Sequence, residues 1–127
     1  MNDKVNALNW FEISASDISR AKKFYESVFS IKMEQQEMMG MKMAFFPFEG
    51  ANGKVSGALV ESQMHKPSQD GAIIYLNGNP DLNLALGKIE SAGGKIVMPK
   101  THISPEVGHM AFFIDSEGNK IALHSNN

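Results

Sequence analysis

No cysteine occurs anywhere in the 127 residues. That absence removes disulfides, thiolate metal ligands and cysteine nucleophiles together, and it suits a reducing compartment, so the cytoplasm is the expected location. An excess of positive charge is missing too. Twelve Lys and Arg stand against fourteen Asp and Glu, a net charge of -2 spread along the chain. Without a basic patch there is no electrostatic footprint for nucleic acid, and no such partner is expected. No apolar run approaches the ~20 residues of a membrane span, and Met1-Asn2-Asp3-Lys4 does not open a charged-then-apolar leader, so neither is expected. Glycine-rich phosphate loops, a nucleophile elbow and an HExxH pair are also absent, which sets aside NTPase, hydrolase and zincin readings. What is present is ordinary for one globular domain spanning residues 1–127: 43% hydrophobic and 20% charged residues, in a chain long enough for a real core.

Within that ordinary composition one stretch occurs twice. Met43-Ala44-Phe45-Phe46 returns as Met110-Ala111-Phe112-Phe113, and each copy runs into a Gly- and Asn-bearing turn and then a short apolar strand. The first turn covers Pro47 to Gly53 and the second Asp115 to Asn119, and Ala58 and Ala122 hold the same place in the outgoing strands. A repeat of this length points to two copies of one supersecondary unit. Alternation and β-forming residues predict strands over Leu8 to Ser14, Ile31 to Glu37, Met43 to Phe48 and Val55 to Glu61. Ile18, Ala21, Phe24, Tyr25, Val28 and Phe29 recur at helical spacing behind a cap at Ser16 or Asp17. Ser62 to Gly71 is polar and breaks at Pro67 and Gly71, so it reads as a connector with His65 as a solvated loop residue.

The order then repeats. Ala72 to Asn77 is a strand, and Asn79-Pro80-Asp81 starts a helix carrying Leu82, Ala85, Leu86, Ile89 and Ala92, ended by Gly93-Gly94. Lys95 to Met98 is a strand, Pro99 to Gly108 a loop or irregular hairpin, and His109 to Ile114 and Lys120 to His124 the closing strands. The fold class is therefore α+β: two tandem βαβββ modules, about residues 5–61 and 71–125, whose curled mixed sheets enclose a cleft in a single domain.

Asp17-x-x-Arg20-Ala21-x-x-Phe24-Tyr25 after the first strand, Ala92-Gly93-Gly94 closing the second helix, and Phe113-x-Asp115-x-x-Gly118-Asn119 in the last hairpin resemble the vicinal oxygen chelate superfamily, which contains glyoxalase I, bleomycin-resistance proteins and extradiol dioxygenases. The resemblance implies paired modules, a homodimer and a cleft that takes a small molecule. It also implies one divalent metal held by four His or Glu side chains, one each from the first, fourth, fifth and eighth strands, acting as a Lewis acid. The matching positions here are Trp10, seven residues before Asp17; Ala58 by internal repeat; Ile73, counted back from Gly93-Gly94; and Ala122, four after Gly118. An indole, two methyls and a branched alkane bind no divalent metal, so no cofactor is expected, with a divalent metal as the alternative.

Glu12 and His124 each lie two residues beyond such a position, on the same strand face. They form a candidate acid–base pair, or else Glu12 lines the cleft and His124 is partly solvated. Tyr75 and Trp10 are candidate walls for an apolar ligand, and Ala58, Ile73 and Ala122 complete the expected binding set. Met38, Met39, Met41 and Met43 offer either an adaptable pocket lining or flexible hairpin packing. His102 and His109 are a metal or proton site, or plain loop-edge residues. The expected function is that of a glyoxalase/bleomycin-resistance-like homodimer binding a small, partly apolar molecule without a catalytic metal. The alternative is a glyoxalase-like lyase or isomerase, or a dioxygenase, with a shifted site at Glu12 and His124, so that catalysis itself stays open.

Overall fold

The computed structural model describes residues 1–50 and 54–127; the turn expected through Gly53 lies partly outside the described residues. The first module runs β1 (Trp10–Ser14), α1 (Ile18–Phe29), β2 (Glu34–Met38), β3 (Met41–Phe45) and β4 (Ser56–Glu61). The second repeats the order as β5 (Tyr75–Asn77), α2 (Asn83–Leu86), β6 (Lys95–Ser104), β7 (Gly108–Ile114) and β8 (Lys120–Ser125). Each module is a four-stranded mixed sheet, ordered β1-β4-β3-β2 and β5-β8-β7-β6. β1 runs parallel to β4 and β5 parallel to β8, while the remaining pairs are antiparallel. The helix that follows the first strand of each module supplies the crossover such a parallel pair needs.

One core serves both modules. Ile13, Ala44 and Leu59 from the first sheet join Leu76, Ala111, Phe113, Ile121 and Leu123 from the second around the helices. α1 contributes Ile18, Ala21, Phe24, Tyr25 and Val28, all buried, from its predicted apolar stripe, whose last member Phe29 is half-buried against them. Asp17 caps the helix by accepting a hydrogen bond from the Arg20 amide, and Ser30 ends it in the left-handed region at φ 54°. A second, smaller cluster of Met43, Ala58 and Val60, with Trp10, Met41 and Phe45 against it, lies on the opposite face of the first sheet. Alternation along β1, β3 and β4 divides each strand between these two clusters.

The family-like residues turn out to form a clasp between the modules. The Tyr25 hydroxyl donates to Asp115 Oδ2 at 2.7 Å, and Asn119 Nδ2 donates to the Ser14 carbonyl at 2.7 Å. Glu117 accepts from the Ser16 and Asp17 amides at 2.8 Å each and from Arg20 Nε at 2.7 Å. Burial and the adjacent Asp115 raise the Tyr25 phenol well above its ordinary range, so it stays a proton donor. We expect Tyr25→Phe to cost about 1.5 kcal/mol, because Asp115 Oδ2 loses a buried donor while the ring packing survives. Chemical denaturation with an unchanged m-value checks this.

Several boundaries differ from the sequence reading. The second helix is regular only over Asn83–Leu86. Beyond it the amides bond three, four and five residues back: Lys88 to Ala85, Ala92 to Lys88, and Gly94 to Ile89. Gly87 sits at the break, where its lack of a side chain weakens helix continuation. The apolar face survives nonetheless, with Leu82, Ala85, Leu86 and Ile89 all buried. β6 is longer than the sequence predicts and continues through Pro99, where a loop is expected to start. It is the edge strand of its sheet, and its ladder to β7 slips at three places, so a residue without an N–H is accommodated. β5 is shorter than predicted and begins at Tyr75, leaving Ile73 ahead of the strand. β1 begins at Trp10 rather than Leu8, β2 at Glu34 rather than Ile31, and β3 covers Met41–Phe45 rather than Met43 to Phe48.

Candidate functional site

Strand register places the predicted site residues. Glu12 pairs with Ala58, Ala58 with Phe45, and Phe45 with Glu34, giving one row across the first sheet. In the second sheet Tyr75 pairs with Ala122, Ala122 with Phe112, and Phe112 with Met98. Ala58 and Ala122 are thus equivalent, each opposite the first Phe of its Met-Ala-Phe-Phe strand, as the repeat implies. Both have no exposed surface.

The two rows have different surroundings. On the first, Trp10 makes ring contacts with Phe45 and Phe48, each at 6.1 Å between centroids, forming an aromatic wall beside Glu12. On the second, Tyr75 is half exposed and meets Phe112 edge-on at 6.1 Å. Tyr75 and His124 border a cavity of about 490 Å³ with Asn77, Ile103 and Val107. A larger cavity of about 730 Å³ lies at the seam between modules, lined by Phe11, Phe46, Leu8, Ile73, Tyr75 and Leu76, among others. Ile73, just ahead of the strand and two residues before Tyr75 as Trp10 is before Glu12, lines this apolar wall.

Glu12 and His124 are engaged by other partners. Glu12 Oε1 lies 2.8 Å from His65 Nε2, whose Nδ1 lies 2.7 Å from Ser62 Oγ. His124 Nε2 donates to the Val107 carbonyl at 2.6 Å. The carboxylate does have an imidazole partner, but it is His65. The side chain of His65 is only 17% exposed, so the reading of it as a solvated loop residue is corrected. The connector folds back in a tight turn, with the His65 amide on the Ser62 carbonyl at 3.3 Å. Sequence reasoning missed this because the contact spans fifty-three residues and no periodic pattern marks it. The available signal was the Ser-x-x-His spacing just after β4, which allows a turn to present both side chains together. His102 and His109 do sit opposite each other across β6 and β7, with ring centroids 5.1 Å apart.

The donor set does not fit the family's divalent metal. Trp10, Ala58, Ile73 and Ala122 offer no lone pair for coordination. Among the described residues no group of three or more His, Asp or Glu is arranged to hold an ion. Glu12 and His124, two residues further along their strands, are already bonded to His65 and to a backbone carbonyl.

The paired modules, clasped here by Asp115, Glu117 and Asn119, form a fold that known proteins also adopt. Residues 7–123 match the Glyoxalase/Bleomycin resistance protein/Dioxygenase superfamily, and the chain belongs to it. It is 30% identical over 119 residues to a glyoxylase-like domain-containing protein of Didymella fabae, covering 91% of each chain. Its fold matches glyoxalase I of Zea mays with a TM-score of 0.69 at 18% identity, over 94% of this chain and 46% of that one. The chain thus spans about half the length of the maize enzyme. TnmS3, an antibiotic binding protein from Streptomyces sp. CB03234, matches with a TM-score of 0.67 at 22% identity, over 99% of this chain and 100% of its own. No helix among the described residues is long and apolar enough to cross a membrane.

Proposed function

We propose that the protein binds a small, partly apolar molecule in the seam cavity, without a catalytic metal, as a cytoplasmic homodimer. The observation that carries this reading is the cavity: its volume of about 730 Å³ matches a site for a drug-sized ligand. Its wall is mainly aliphatic and aromatic, with Ser56 and Asn77 as polar residues that would orient a guest. The full-length fold match to an antibiotic binding protein supports the reading in kind. The alkyl and indole groups at Trp10, Ala58, Ile73 and Ala122 support its metal-free half.

Anilinonaphthalene sulfonate, an apolar fluorophore, tests the cavity. We expect saturable binding at one site per chain, weakened about tenfold (~1.4 kcal/mol) by Ile73→Trp, which fills the wall from a partly exposed position. Binding that ignores this substitution would overturn the assignment. Elemental analysis of protein purified without chelator tests the metal-free half: stoichiometric Ni, Zn or Fe that depends on Glu12 or His124 would refute it. Light scattering should return twice the chain mass of 14.0 kDa.

A further inference from the structure

We propose that Ser62, His65 and Glu12 form an acyl-transfer site, with Ser62 as nucleophile, His65 as its base and Glu12 as the group that orients the base. The substrate class is a small activated ester. The site uses different residues from the seam cavity and does not rest on the binding function proposed for it.

The argument starts from hydrogen-bond direction. Ser62 Oγ accepts from the Met64 amide at 3.1 Å, so one lone pair is occupied and its proton is left to point elsewhere. His65 Nδ1, at 2.7 Å, is the acceptor that proton meets. An imidazole that accepts at Nδ1 carries its own proton on Nε2, which faces the Glu12 carboxylate at 2.8 Å. The three groups are therefore in one self-consistent protonation state: hydroxyl donor, neutral imidazole, carboxylate acceptor. This is the order of roles in a serine–histidine–acid array, with the two ring nitrogens exchanged, and such arrays are defined by geometry and role rather than by fold. Both nitrogens of His65 are taken. In the resting site the first atom offered to a substrate is therefore Ser62 Oγ, and its acylation frees His65 Nδ1 for the leaving alcohol and then for water.

The surroundings suit the reaction. Ser62 and His65 line a pocket of about 470 Å³ that also carries Lys42, Lys66 and Glu61. Lys42 pairs loosely with Glu61 at 3.9 Å and is half exposed, so its ammonium can exchange that carboxylate for a developing oxyanion. Attack of Ser62 Oγ on an ester carbonyl carbon forms the new O–C bond as the hydroxyl proton passes to His65 Nδ1. The tetrahedral oxyanion then collapses, breaking the bond to the alcohol oxygen, which leaves with the proton from His65. Water repeats the sequence on the acyl-serine, with His65 taking its proton and returning it to Ser62, releasing the carboxylic acid.

Para-nitrophenyl acetate is the probe. A burst of nitrophenolate at one equivalent per chain is expected, with the acetyl group found on Ser62 by peptide mass spectrometry. Ser62→Ala should abolish the burst, and His65→Gln should slow it by roughly a hundredfold, the usual share of a positioned base. Glu12→Gln is the positioning test: it should slow the burst and be matched in its pH–rate profile by a shifted inflection, which a purely structural role would not give. Ser62→Cys guards against a folding artefact, since it keeps the turn in a chain with no other cysteine and should still acylate, now as a thioester. Acetyl groups confined to lysines, or a burst unchanged in Ser62→Ala, would overturn the proposal.

Discussion

Glu117→Ala is expected to lower the unfolding free energy by about 3 kcal/mol, from the loss of partners for two amides and a guanidinium. The Glu117 side chain has no exposed surface, yet it accepts from the Ser16 and Asp17 amides and pairs with Arg20. The alanine variant leaves both amides, at the start of α1, without their acceptor. Arg20 is 54% exposed and can turn to water, so the cost falls mainly on the amides. Burial alone would push the Glu117 carboxyl up, but the Arg20 and amide hydrogen bonds outweigh it and hold the carboxyl below its ordinary 4.5. A carboxyl lowered in the folded state stabilises fully above its unfolded value and loses that contribution as pH falls through the folded one. Stability of the native chain should therefore drop on acidification below about pH 4.5, and Glu117→Gln should flatten that part of the curve. An equal acid slope in both proteins, from urea melts at stepped pH, would refute the assignment.

Gly57→Ala should be nearly as damaging, at about 3 kcal/mol, the upper end of the range for overpacking. A Cβ at Gly57 would stand 2.2 Å from the Phe11 carbonyl oxygen and 2.6 Å from its ring. Gly57 pairs with Phe11 in the parallel β1–β4 ladder, so the added methyl can be relieved only by parting the strands. The same displacement carries Glu12 and Ala58, the adjacent pair, out of register with each other. Two readouts are expected together: a lowered thermal midpoint and a weakened Glu12–His65 contact, the latter seen as a changed His65 ring chemical shift in the NMR spectrum. A stable variant with an unchanged His65 signal would show that the close approach is not rigid.

The architecture was readable from sequence because duplication supplied its own control. Phe45 and Phe112 could be aligned without any structure, and alignment predicted the equivalence of Ala58 and Ala122 that the register displays. The α1 stripe was equally plain, since five buried positions repeat at helical spacing. The second helix was half readable: apolar periodicity records which side is buried, whereas Gly87 decides whether the backbone can stay regular, and periodicity is blind to that. Pro99 misled for a related reason. A proline forbids a central strand but not an edge strand, and edge position is a property of the assembled sheet.

The candidate site was less legible. Glu12 stands out in the sequence because it shares a face with Trp10, with His124 as its candidate partner; that His65 takes the place depends on how Ser62 to His65 folds back. That is a tertiary outcome of a short turn. His124 had the better strand position and the worse surroundings, because the Val107 carbonyl comes within 2.6 Å of its ring.

Ala58 and Ala122 also bear on which sequences this protein can reach by single substitutions. A carboxylate introduced at either position alone would enter a site with no exposed surface, at Ala58 against Met43 and Val60. An unpaired charge there costs several kcal/mol until a cation arrives to compensate it. One ligand holds a cation poorly, so each first step toward a coordinating cleft lowers stability before any later step offsets it. The methyl pair thus acts as a ratchet: a first acidic substitution at either position is penalised before a second can compensate it.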